Sequence, residues 1–161
     1  MEADRIIIRK MQTDEIPRVS EILCDSYRWL AQKEGYTPAQ CDWLVTNRGS
    51  IQTVTIESQK ELYLVAIQEK VICGMTAIRE NSITKFYIDP SFHRQGIGAI
   101  LFKAAENQIL LSGYRELVLG ATDTAIPFYQ KMGLIEIRRE PYQNDIFPGR
   151  QVAIMSKKLV R

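Results

Sequence analysis

Phe86-Tyr87-Ile88-Asp89-Pro90-Ser91-Phe92-His93-Arg94-Gln95-Gly96-Ile97-Gly98-Ala99 carries a strand into a helix through a turn with two glycines. The aromatic and β-branched run ends at Pro90, which has no N–H to donate to a sheet ladder. After Gly96 the apolar residues repeat at helical spacing. Ile97, Ile100, Leu101, Ala104, Ala105 and Ile109 share one face as far as about residue 111, and Gly113 is a suitable stop. A helix opened by glycine is an anion site in outline. Its first N–H groups have no intrahelical partner, the helix dipole places positive charge there, and glycine leaves no Cβ in a phosphate's path. Two phosphate motifs are excluded: the dinucleotide fingerprint needs a third glycine where Leu101 stands, and the triphosphate loop needs Gly-Lys-Ser/Thr.

Outward from this junction, strands and helices alternate. Ile6-Ile7-Ile8-Arg9 reads as a first strand, and Thr13 or Asp14 caps a helix whose Ile16, Val19, Ile22 and Leu23 recur through about Tyr27. Thr37-Pro38 starts a second helix that runs to Val45 or Thr46. Residues 62–67 and 71–78 read as strands around a Glu69-Lys70 turn too short for anything but antiparallel pairing, and residues 83–88 form a third. Leu117-Val118-Leu119 is a short buried strand. A helix follows from about Thr124 to Met132, with Pro127 in its first turn and Gly133 at its end, and residues 134–138 and 152–155 are the last strands. The pattern predicts a mixed α/β (α+β) fold with a mostly antiparallel central sheet of about six or seven strands flanked by helices. No linker or repeat interrupts residues 1–161, so one domain is expected.

Composition narrows the function. With 161 residues, 45% apolar and 25% charged, the chain has the make-up of an ordinary soluble domain. Its 21 basic and 19 acidic side chains leave a net charge of +2, which argues against a general nucleic-acid binder. No apolar run approaches the ~20 residues of a membrane span. Met1-Glu2-Ala3-Asp4-Arg5 lacks the basic-then-apolar layout of a secretory leader, so a cytoplasmic domain is expected. Cys24, Cys41 and Cys73 form no CxxC pair and read as small buried hydrophobes in a reducing compartment. His93 is the only histidine, which excludes a His-rich metal site and the H-E-x-x-H motif; no metal is expected.

The glycine turn, as His93-Arg94-Gln95-Gly96-Ile97-Gly98, resembles the acetyl-coenzyme A signature Q/R-x-x-G-x-G/A of the GNAT superfamily of N-acetyltransferases, with His93 in place of Gln or Arg. Further on, Ala125-Ile126-Pro127-Phe128-Tyr129-Gln130-Lys131-Met132-Gly133-Leu134 is similar to that family's A-x-x-F-Y-x-K-x-G-F segment, with Leu134 in the Phe position. Read without the family, the second block is a helix core face closed by a glycine cap, with Lys131 suited to the negative helix end.

The resemblance implies direct transfer of an acetyl group from acetyl-coenzyme A to an amine of a small molecule or of a protein or peptide, and allows a homodimer. It implies that Phe86, Tyr87 and Ile88 offer backbone groups to the pantetheine arm. The amides of Arg94, Gln95, Gly96, Ile97, Gly98 and Ala99 would hold the pyrophosphate, with Thr122, Tyr129 and Lys131 completing the cofactor site. Whether His93 or Arg94 adds charge there stays open. Tyr129 matches the tyrosine that protonates the departing thiolate; its alternative is a packed aromatic at the sheet edge. Many relatives carry a glutamate base where this chain has Thr84, which cannot serve as a base, so Glu80 is the candidate substitute, either directly or through water, or else a solvated turn charge. Where the family often has Asn, Thr122 still offers a hydrogen bond. Asp25, Tyr27, Trp29, Glu34 and Tyr36 could line an aromatic and acidic pocket for a cationic amine, and residues 141–149 could reach over it. The loss of that glutamate also motivates a second reading, a non-catalytic acyl-coenzyme A-binding module of the same fold.

Overall fold

The computed structural model describes residues 5–142 and 144–160; residues 1–4, Gln143 and Arg161, and with them the leader-like test of the first residues, lie outside it. Seven strands form one sheet in the order β1-β2-β3-β4-β5-β7-β6: β1 (Ile6–Lys10), β2 (Leu62–Gln68), β3 (Val71–Arg79), β4 (Ser82–Ile88), β5 (Glu116–Ala121), β6 (Ile135–Pro141) and β7 (Gln151–Lys158). All neighbours are antiparallel except β4 and β5, which run parallel and pair only at Ser82↔Val118 and Ile83↔Leu119.

Side-chain alternation sorts the sheet's residues onto two helical layers. On one face Tyr63, Val65 and Met75 pack with α1 (Ile16–Glu34), α2 (Pro38–Arg48) and α3 (Ile51–Glu57). On the other, Leu64, Leu119 and Met155 pack with α4 (Ile97–Leu111) and α5 (Ile126–Lys131).

Two elements differ from the sequence reading. Helix α1 continues past Tyr27 because Leu30 and Ala31 extend its buried face, and it stops only at Gly35, which takes a left-handed φ of 70°. Ahead of it, Thr13–Glu15 is a 3-10 turn closed by a Gln12–Glu15 capping box, so neither Thr13 nor Asp14 caps the α-helix. Helix α3 was not anticipated; Ser50 caps it by accepting from the Thr53 N–H at 3.1 Å, and only Val54 of its seven residues is fully buried.

Candidate active site

The parallel pair parts where β4 bends. Ala77 faces Lys85 while Ile78 faces Ile83, so Thr84 is an extra residue in β4, a bulge that turns the strand away from β5. The gap is a groove of about 1220 Å³ between β4, the start of α4, the end of β5 and α5, roofed by Ser26, Trp29 and Leu30 of α1.

At one end lies the glycine turn. Among the described residues no backbone N–H from 94 to 99 donates to another backbone group outside the helix, so these donors are free for a ligand. Arg94 (φ 63°) and Gly96 (φ 79°) are left-handed. Gly98 has a packing reason of its own: a Cβ there would lie 3.1 Å from the Phe128 ring, so glycine lets α4 close on α5. His93 Nε2 lies 2.9 Å from the Ile88 carbonyl and donates to it, and the ring stands edge-on to Trp29 with centroids 4.8 Å apart. Its side chain thus ties the turn to β4 and α1. Arg94 lines the groove, whereas Gln95 is exposed and off its wall.

Asp89 fastens the turn from below. Its carboxylate accepts from the Ser91 N–H at 2.9 Å and pairs with Arg18 at 2.7 Å, while Arg18 also donates to the Ile72 carbonyl. Burial works against the charged form, but these donors hold the Asp89 pKa below the ordinary aspartate value.

At the other end Tyr129 is buried among Phe86, Phe102 and Phe128, with ring centroids 6.1, 6.1 and 5.3 Å away. Its hydroxyl has no protein partner among the described residues and lines the groove. Burial, with the Tyr87 phenol adding to it, pushes its pKa above the ordinary phenol value, so it is a proton donor at neutral pH. Phe86, Tyr87, Ile88, Ile97, Ala99, Thr122 and Lys131 line the same groove.

Glu80 stands apart: it is exposed at the tip of the β3–β4 turn with φ 56° and is not on the groove wall. A different carboxylate lies behind the groove wall, bonded to a residue that lines it. Thr84 donates its hydroxyl to Glu61, the residue before β2, and Lys85 beside it is buried and paired with Glu57 of α3. No local pattern pointed to Glu61, which strand pairing across β2, β3 and β4 brings to Thr84. Lys85 had a signal, the one charge in its strand.

The five residues expected to form one acidic pocket are dispersed, because successive helix positions turn by 100°. Trp29 faces the groove. Asp25 is half-exposed and pairs with Arg28. Glu34 accepts the Thr124 N–H and hydroxyl, which joins the end of α1 to the loop before α5. Tyr36 packs on Phe147 at 5.0 Å and shares a 3.3 Å hydrogen bond with Tyr142. Tyr27 lines a second cavity of about 140 Å³ on the α1–α2 side of β4, which shares Thr84, Lys85 and Tyr87 with the groove. Tyr142 and Asn144 line this cavity too, and residues 144–150 are held by Gln40 donating to the Ile146 carbonyl at 2.7 Å and Arg150 to the Glu34 carbonyl at 2.8 Å.

Among the described residues no helix is long and apolar enough to cross a membrane, and no three His, Cys, Asp or Glu gather as a metal site.

A family model described as "Acetyltransferase (GNAT) domain" matches residues 35–148, more than two thirds of the chain. No curated protein matches the sequence. Among solved structures, a GCN5-related N-acetyltransferase from Rhodopseudomonas palustris superimposes with a TM-score of 0.84 at 20% identity, over 95% of both chains. PaiA N-acetyltransferase from Thermoplasma acidophilum, solved with coenzyme A, gives 0.75 at 21% identity over 96% of this chain and 99% of its own. The yncA structure from Salmonella typhimurium, with acetyl-coenzyme A, gives 0.66 at 14% identity over 98% and 95%. At these identities the superpositions establish the fold.

Proposed function

The chain belongs to the GNAT acetyltransferase family, and we propose that it transfers the acetyl group of acetyl-coenzyme A directly to the nitrogen of an amine, on a small molecule or a peptide. The observation that carries this reading is one continuous groove with unpartnered amides at residues 94–99 at one end and the Tyr129 hydroxyl at the other. Those donors fit a pyrophosphate: they are several, uncharged and backed by the positive end of α4, so a chain with a net charge of only +2 concentrates its grip locally. When bound, the thioester supplies an activated acetyl group.

This chain's residues then have three tasks. Backbone groups of residues 86–88 extend along the groove because β5 no longer pairs with them, leaving that edge of β4 for a ligand strand-like arm. Tyr129, protonated at neutral pH, donates to the departing sulfur. The acceptor ammonium must shed a proton to expose its lone pair. Thr84 relays it: its hydroxyl accepts from the ammonium while passing its own proton to the Glu61 carboxylate. Glu61, rather than Glu80, is thus the base of this reading.

An acetylation screen over polyamines, amino acids, aminoglycosides and peptide N-termini, read by free thiol release, tests it. Thiol release with at least one amine is expected, with Tyr129→Phe lowering kcat about 100-fold and leaving acetyl-coenzyme A binding intact in calorimetry. Binding without turnover of any amine would instead support the non-catalytic module. Absence of binding would defeat both.

A further inference from the structure

The second cavity holds an unclaimed positive charge. Arg48, the last residue of α2, stacks its guanidinium on Trp43 at 5.6 Å and has no carboxylate within ion-pair distance among the described residues. The neighbouring cation, Lys85, is already paired with Glu57. Among the described residues no acidic side chain lines the cavity. The rest of its polar wall is neutral: the phenols of Tyr27, Tyr87 and Tyr142 and the Asn144 amide can each donate, while the Thr84 hydroxyl gives its proton to Glu61. Arg48's charge is felt inside, where it opposes the rise that burial imposes on the pKa of Tyr27 and of Tyr87. A planar guanidinium with convergent neutral donors and aromatic sides is suited to a carboxylate or phosphate.

The cavity adjoins the groove at the β4 bulge. Thr84 and Lys85 line both spaces, and Thr84 carries Glu61 on its hydroxyl. A molecule placed across this junction meets a carboxylate relay at its amine end and a free guanidinium at its other end. We infer that the acceptor is an amine that also bears an anionic group, a carboxylate or a phosphate, seated against Arg48 in the cavity beside Tyr142 and Asn144. This rests on the groove being the acetyl-coenzyme A site. The cavity, at about 140 Å³, admits a small anionic group and not a long acidic segment.

Calorimetry on the coenzyme A-loaded protein tests it with matched probes: L-methionine against L-methioninamide, and glucosamine 6-phosphate against glucosamine. In at least one pair the anionic member is expected to bind ten-fold or more tightly than its neutral counterpart. Arg48→Gln, a change at an exposed position, should abolish that preference. A preference confined to the first pair identifies a carboxylate, and one confined to the second a phosphate. Equal binding within both pairs, no binding of either anionic probe, or a preference that survives Arg48→Gln would overturn the inference. Preferential binding here, with no thiol release from acetyl-coenzyme A for any amine of the screen or for these probes, would overturn the acetyl-transfer reading and leave the anion site standing.

Discussion

Ser26 Oγ is buried in the roof of the groove without a hydrogen-bond partner among the described residues. A helical serine often bonds back to the carbonyl four residues earlier; this one does not, and an unpaired buried hydroxyl costs about 1–3 kcal/mol. Ser26→Ala is therefore expected to raise stability by about 1 kcal/mol in urea unfolding while raising KM for the acceptor. A loss of stability would show that the hydroxyl has a partner. Lys85 presents the opposite case, a buried cation whose only ion-pair partner among the described residues is Glu57. Glu57→Gln strands it and should cost about 2–3 kcal/mol, whereas adding Lys85→Met should recover most of the loss, because an apolar side chain of similar length needs no counter-charge. Equal stability of the single and double variants would refute this account. Residues of both kinds differ in how they show in sequence. Tyr129 and Gly96 stand in motifs a few residues long, and Lys85 is the one charge in its strand. Ser26, Glu61 and Arg48 carry no such mark, since what gives each its surroundings is a neighbour tens of residues away.

Local elements were legible where local chemistry dictates them. The β2–β3 hairpin follows from two apolar runs around a short polar turn, and the structure adds that both turn residues, Glu69 (φ 50°) and Lys70 (φ 66°), are left-handed. That is the backbone of a type I′ turn, which favours Asn-Gly. Each side chain in that region is strained, so Glu69→Asn with Lys70→Gly should stabilise the protein by about 1 kcal/mol, seen as a higher urea midpoint with an unchanged slope. A lower midpoint would mean that the Glu69 or Lys70 side chain makes a contact worth more than the strain. Helix α1 was harder to bound, because its stop is Gly35 and the polar positions between Tyr27 and Gly35 conceal the continuing face of Leu30 and Ala31. Helix α3 has one fully buried residue, Val54, too few to leave a period. The bulge at Thr84 leaves no local signature either, since it exists only as a mismatch between β3 and β4.

At the scale of the whole molecule, one contact ties the mouth of the groove to the helical layer of α1. The parting of β4 from β5 creates the groove, and Asp89 and Arg18 keep the mouth of that groove in place by joining the turn after β4 to α1 and to the Ile72 carbonyl of β3. Neither the crossing nor the pairing could be read from spacing, because Arg18 and Asp89 lie on different elements and only the folded sheet makes them neighbours. Acid should expose the dependence. Asp89 has a folded pKa below its ordinary value, as have Glu15, held chiefly by its hydrogen bond to Arg9, and Glu106, where Lys157 and Lys103 outweigh the effect of burial. A depressed carboxylate contributes stability that is complete above the unfolded pKa of about 4 and is lost as pH falls through the folded value. Urea unfolding should therefore give nearly constant stability from pH 7 to 5 and a decline below pH 4. Asp89→Asn removes the charge and should cost about 1.5 kcal/mol at pH 7. Near pH 3 the gap between variant and parent should narrow, since protonation then takes the same charge from the parent. Because the staple holds the turn bearing residues 94–99, acetyl-coenzyme A affinity in the variant should already be reduced at pH 7. A gap that stays constant down to pH 3, or full affinity in Asp89→Asn, would show that the turn is held by its backbone alone.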